Sequence, residues 1–298
     1  MDEHEQKNAD RQIKSVTNLG IATNIALFII KLIVGFLSGS IALIADGVHS
    51  LSDMTTDVAV LLGVHFGSKK PDESHPYGHG RAETFSAGFI AVVLFFVGSV
   101  MIYYAAVDIT KGNVTAPYTA VLIVATFSIV AKELLYRATK RVAIRSYSSA
   151  LYANAWHHRS DALSSVAVLI GFISLKFGFD YGDQIAAVAV GLMVILVAVH
   201  VINDCLRELT EGAVDSGTIE HIENVINANT SIRQWHRLRT RTVGREVFLD
   251  LHILVDPELN VAAAHEIAES LESTLHEQIS RPVNITVHIE PDIPTLRK

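Results

Sequence analysis

Six stretches of this chain are long and apolar enough to be read as membrane-crossing helices, each close to the roughly 20 residues that a bilayer core requires. They run over Asn18–Leu37, Ile41–Phe66, Phe85–Val107, Tyr118–Leu135, Ser146–Leu175 and Gln184–Cys205. All seven prolines fall outside them, so each span can keep its backbone hydrogen bonds internal, as lipid demands. Basic residues mark alternate connections. Lys7, Arg11 and Lys14 precede the first span, Lys69, Lys70 and Arg81 follow the second, and Arg137, Lys140, Arg141 and Arg145 follow the fourth. The opposite connections hold only Lys111 and Lys176. The positive-inside rule then puts both termini in the cytoplasm, which an even number of spans allows.

Past Glu208 the periodicity changes. Thr218–Asn229 reads as an amphipathic helix with Ile222, Val225 and Ile226 on one face. Trp235–Val243 and Glu246–Val255 alternate as strands around a tight turn at Gly244. Val261–Ile279 reads as a helix and Val283–Ile289 as a third strand. The order αββαβ predicts a small α+β layer, one sheet backed by helices. The chain thus divides into a polar N-terminal segment (1–17), a six-helix membrane domain (18–208) and a soluble domain (209–298).

Composition sharpens this division. Half of the 298 residues are hydrophobic and 18% are charged, with a net charge of −7. From Leu209 onward lie 14 of the 31 acidic and 8 of the 24 basic residues. This excludes a uniform soluble enzyme, a disordered chain and a basic nucleic-acid binder. Cys205 is the sole cysteine, so neither an internal disulfide nor a cysteine zinc knuckle is available. The first seventeen residues lack the early apolar core of a cleavable signal peptide.

The chemistry sits where lipid should exclude it. His49 and Asp53 in the second span, and His157 and Asp161 in the fifth, repeat one HxxxD spacing. Residues four apart share a helix face. Ionisable groups at membrane depth need partners or a cavity. Two such pairs either tie helices together or offer two imidazoles and two carboxylates to one cation, a donor set that suits Zn²⁺. The repetition favours the cation. Asp46, Asp57 and His158 lie close enough to line the same path. Asp72, His75 and His79 in the PDESHPYGHGRAE loop could bind a second ion or form a solvated polar loop. In the soluble domain His236, His252 and His288 fall on the three strands, Glu290 follows two residues on, and His265 lies early in the second helix. His221 and His276 suit solvated helix faces. AHEIAE lacks the second histidine of a metalloprotease HExxH. An intramembrane zinc enzyme and a membrane-tethered metal sensor are the rival readings. The first lacks an open metal position, and the second needs only an anchor.

HSLSD, HPYGHGRAE and HHRSDALSS, with the later histidines, give nearly the whole chain a resemblance to the cation diffusion facilitators, most closely the bacterial zinc/iron efflux type. The resemblance implies a non-enzymatic Zn²⁺/H⁺ antiporter in the bacterial inner membrane. It implies a homodimer joined through a metallochaperone-like cytoplasmic domain. It assigns the transport site to His49, Asp53, His157 and Asp161, and the loop site to Asp72, His75 and His79. It assigns the cytoplasmic site, where Zn²⁺ is a regulatory ligand, to His236, His252, His265, His288 and Glu290. Arg81 and Glu211 match a charge pair near the hinge. Other divalent metals (Fe²⁺, Mn²⁺, Cd²⁺) stay open as substrates.

Overall fold

The computed structural model describes residues 3–38, 50, 53–111, 119–177, 182–279 and 281–297. Gln6–Leu206 forms one compact unit, and Arg207–Lys298 with Met1–Glu5 forms the other.

The first unit is helical. Its helices are α1 (Glu3–Ser38), α2 (Met54–Gly67), α3 (Arg81–Lys111), α4 (Thr119–Ser146), α5 (Ser149–Lys176) and α6 (Gly182–Leu209). Each of the six expected spans has a helix among the described residues, and part of the second span, with Asp46 and His49, lies outside them. Two helices outrun the apolar pattern. α1 begins at Glu3, inside the polar N-terminal segment, because Ile13 and Val16 join the core. α4 runs about three turns past Leu135 and carries Arg137, Lys140, Arg141 and Arg145 on helix rather than loop. Arg137 is held there by an i,i+4 bond to Glu133, Nε to Oε1 2.7 Å. Tyr147, in left-handed backbone (φ 52°), and Ser148 alone separate α4 from α5. Ser148 Oγ donates to the buried Glu83 Oε2 at 2.7 Å, fixing this corner against the start of α3.

The core of this unit joins Ile13, Val60, Ile90, Leu94, Leu151 and Val194, with small residues such as Ala87, Ala91 and Ala153 between them. Outward faces are apolar as well. On α3, Phe85, Phe89, Val92, Phe96, Val100 and Tyr103 form an exposed helical stripe. Such a stripe is costly in water but not in lipid. By length and apolarity, segments Lys7–Val34, Arg81–Lys111 and Val188–Leu209 qualify as spans among the described residues. The polar residues of α4 and α5 dilute their hydropathy, and those residues build the site below.

The second unit has the order αββαβ: α7 (Ser216–Ala228), β1 (Gln234–Val243), β2 (Glu246–Val255), α8 (Val261–Gln278) and β3 (Val283–Pro291). Asp215 caps α7, its Oδ1 accepting from the Thr218 N–H at 3.0 Å, and Asn260 caps α8 through the Ala263 N–H at 2.9 Å. β1 pairs with β2 antiparallel across a two-residue turn whose Gly244 has φ 59°, and β3 joins β2 in parallel. Val247, Leu249, Leu251 and Ile253 face the core with Ile222, Ile226, Leu271 and Leu275 of the two helices. Period-2 alternation therefore turns Asp250 and His252 to the other face of the sheet.

Candidate metal centre

Two elements bring the membrane ligands together. Asp53 stands at the start of α2, and His157 and Asp161 lie one turn apart on α5. One ligand atom from each falls within 4.8 Å of the others, and all three residues are buried. His157 Nε2 lies 3.6 Å from Asp53 Oδ1 and 3.8 Å from Asp161 Oδ2. Neither ring nitrogen of His157 has a hydrogen-bond partner among the described residues. A buried imidazole without hydrogen bonds beside two carboxylates is a costly arrangement in the absence of a ligand. One nitrogen and two carboxylate oxygens suit a divalent transition cation. His49 lies outside the described residues.

A fourth side chain enters this group unannounced by the motifs. Lys132 of α4 donates from Nζ to Asp161 Oδ2 at 2.7 Å and to Asp53 Oδ2 at 3.1 Å. It sits in the apolar run ATFSIVAKELL. The signal that reveals it is the one applied to the aspartates: an ionisable residue inside a span must face the bundle and find a partner.

One turn along the same helices lies a second buried polar group. Asp57 accepts from Asn24 Nδ2 at 3.0 Å and from Asn154 Nδ2 at 2.7 Å, and His158 Nε2 lies 3.5 Å from Asp57 Oδ1. These bonds join α1, α2 and α5 beside the first site. Gly20 permits the approach, since a Cβ there would lie 3.1 Å from Asp57 Oδ1.

Between α2 and α3, Asp72, His75 and His79 also converge within 4.8 Å. Asp72 Oδ1 accepts from Ser74 Oγ (2.7 Å), Ser74 N–H (2.9 Å) and His75 N–H (2.7 Å). Its Oδ2 lies 3.5 Å from His79 Nε2. Gly78, at φ 81°, makes the turn that sets the two imidazoles 4.3 Å apart. The Ser74 hydrogen bonds, then that from His75, hold the Asp72 carboxyl at about 2, below its ordinary 3.8.

In the second unit His236, His252 and His288 stand side by side across the sheet, because His252 pairs with His236 on β1 and with His288 on β3. Glu290, two residues beyond His288, reaches into the row. Its Oε1 lies 2.9 Å from His252 Nδ1 and 3.6 Å from His288 Nε2, and its Oε2 lies 3.3 Å from His236 Nε2. The His252 hydrogen bond keeps the Glu290 carboxyl below its usual value. His236, His252 and Glu290 have ligand atoms within 4.8 Å of one another, while His288 is more exposed at the edge of the row. His265 is not brought into this row. It lies on α8, which packs on the opposite face of the sheet, and its Nε2 is exposed 3.3 Å from Glu269 Oε1. Glu211 pairs within its own unit, Oε2 to Arg241 Nε at 3.2 Å, and Arg81 opens α3.

Buried carboxylates and an imidazole inside a helical unit, with a histidine-bearing α+β unit after it, fit a metal-ion transporter. The chain belongs to the cation efflux family: the cation efflux transmembrane domain matches residues 18–210 and the cation efflux protein cytoplasmic domain matches 214–292. It is a divalent metal cation efflux transporter of that family. An uncharacterized transporter of Methanocaldococcus jannaschii is 37% identical over 94% of this chain and 99% of its own. The manganese efflux system protein MneP of Bacillus subtilis is 30% identical over 93% of this chain and 96% of its own. The nickel form of a MamM C-terminal domain variant aligns at 28% identity over 26% of this chain and all of that chain, with a TM-score of 0.26.

Proposed function

We propose that this transporter exports Zn²⁺ in exchange for protons by alternating access, with Asp53, His157 and Asp161, together with His49, as the transport site. The observation that carries the reading is the buried convergence of those three ligands, with neither ring nitrogen of His157 hydrogen-bonded among the described residues. Neutral imidazole and ionised carboxylate bind metal, and their protonated forms do not. Protons from outside therefore displace the ion, and a more alkaline cytoplasm restores affinity. Both termini face the cytoplasm of a bacterial inner membrane in this reading. The domains are 1–17, 18–208 and 209–298, and the last joins two copies into a homodimer. Filling the His236–His252–His288–Glu290 row reports cytoplasmic metal. The loop group of Asp72, His75 and His79 is an accessory ion site.

A second reading takes Mn²⁺ as the substrate, favoured by the relative named as a manganese efflux protein and by the two carboxylates of the site, which suit a harder cation. Proteoliposomes loaded with a zinc dye and placed in a pH gradient test the assignment. Zn²⁺ flux should fall at least about tenfold in His157→Ala or Asp161→Ala, since even outer partners of a metal are worth about 10–100-fold. Flux unaffected by either change removes the site. Competition by Mn²⁺ in the same assay separates the two substrates.

A further inference from the structure

A divalent-cation site built from Asp53, His157 and Asp161 has no need of a lysine, yet Lys132 lies inside it. Its ammonium is 2.7 Å from Asp161 Oδ2, the oxygen that also faces His157, and 3.1 Å from Asp53 Oδ2. A cation bound to a carboxylate oxygen sits about 2.0–2.2 Å from it. With Lys132 in place, two positive centres would crowd Asp161 Oδ2 in a buried site, where repulsion is weakly screened. Metal and ammonium therefore exclude each other.

We propose that Lys132 is a tethered internal cation of the transport cycle. It compensates the Asp53–Asp161 pair while the transporter carries no metal, moves aside as the metal binds, and returns when the metal leaves. This rests on the reading of Asp53, His157 and Asp161 as the transport site. The structure offers a resting place: Ser128, one turn earlier on the same face of α4, has a buried hydroxyl without a partner among the described residues. Helical side chains lean toward the N-terminus, which carries Lys132 in that direction. The arrangement has two consequences. Metal binding must break the lysine's ion pairs, which keeps affinity low enough for release. On the metal-free return the ammonium compensates whatever carboxylate charge the exchanged protons leave, a bare buried charge being one that a low-dielectric interior penalises heavily.

Zn²⁺ flux measured against Zn²⁺ concentration in proteoliposomes of the full chain tests this. Lys132→Gln should lower KM about tenfold and lower kcat by at least as much, the pattern of a site that binds too tightly and releases slowly. Lys132→Arg, whose planar fork grips carboxylates at two points, should raise KM. An unchanged or raised KM in Lys132→Gln overturns the proposal even if kcat falls, because a lysine that only holds helices together would not tighten metal binding when removed. Should the glutamine variant fail to reach the membrane fraction, the arginine variant decides: a raised KM supports the proposal and an unchanged one overturns it. Asp161→Ala run in parallel separates the two levels. Its loss of flux beside an unmoved KM in Lys132→Gln sinks the internal cation alone, whereas wild-type flux in Asp161→Ala sinks the transport site and the internal cation with it.

Discussion

Asp72 shows how much three short hydrogen bonds do for one exposed carboxylate. Ser74 and the His75 backbone stabilise its ionised form, so its folded pKa lies near 2 against an ordinary 3.8. A carboxyl depressed on folding contributes stability above its unfolded pKa and loses it as pH falls through the folded one. The loop should therefore keep its Asp72 charge at about pH 3, where a free aspartate is mostly protonated. A ¹³C carboxylate titration of the full chain should place the Asp72 midpoint near the lower value, and a midpoint at the ordinary one contradicts the bonding scheme. Ser74→Ala should move it up. The motif makes Asp72, His75 and His79 legible, but the part played by Ser74 is not, because a serine in a polar loop carries no spacing signal. HxxxD spacing alone is equally indiscriminate. His200 and Asp204 share it on α6, 3.5 Å apart and exposed, while Asp53, His157 and Asp161 are distinguished by burial against other helices.

Helix and strand periodicity carries most of what the sequence reveals about the elements. The αββαβ order and the strand Glu246–Val255 follow from period-2 alternation, and that alternation also puts His236, His252 and His288 on one face. The position of α8 relative to that face is tertiary, so the separation of His265 from the row is visible only once Leu271 and Leu275 are seen packing on the core side. The length of α4 is hidden for a related reason, since its last three turns are too polar to register as a span. Helix contact distances are likewise illegible. A Cβ on Gly98 would meet the Gly191 carbonyl at 2.8 Å, and one on Gly191 would meet the Gly98 carbonyl at 2.9 Å, so α3 and α6 approach backbone to backbone. Gly98→Ala or Gly191→Ala should cost about 1–3 kcal/mol in detergent-solubilised unfolding, the usual penalty for overpacking. Gly88→Ala, where nothing lies within 4 Å, is the matched neutral change. Equal midpoints for all three would contradict the close approach.

At the scale of the whole molecule, apolar spans and a charged C-terminal unit are apparent from composition, and the division into Gln6–Leu206 and Arg207–Lys298 lies close to the change of pattern at Glu208. Two kinds of metal site are proposed, one in lipid for passage and one in the C-terminal unit that reports cytoplasmic metal. In the full chain, His252→Ala with Glu290→Ala should remove about one bound Zn²⁺ per chain in equilibrium dialysis, since each zinc takes about four ligands and this row supplies most of them. Unchanged stoichiometry would leave the row a hydrogen-bonded cluster. The central claim is exchange of metal for protons through Asp53, His157 and Asp161. It is tested most directly by recording lumenal pH and lumenal Zn²⁺ together in proteoliposomes after Zn²⁺ is added outside. Protons should leave as zinc enters, and both signals should vanish in Asp161→Ala. Zinc entering with no accompanying pH change, or both signals persisting in Asp161→Ala, would contradict it.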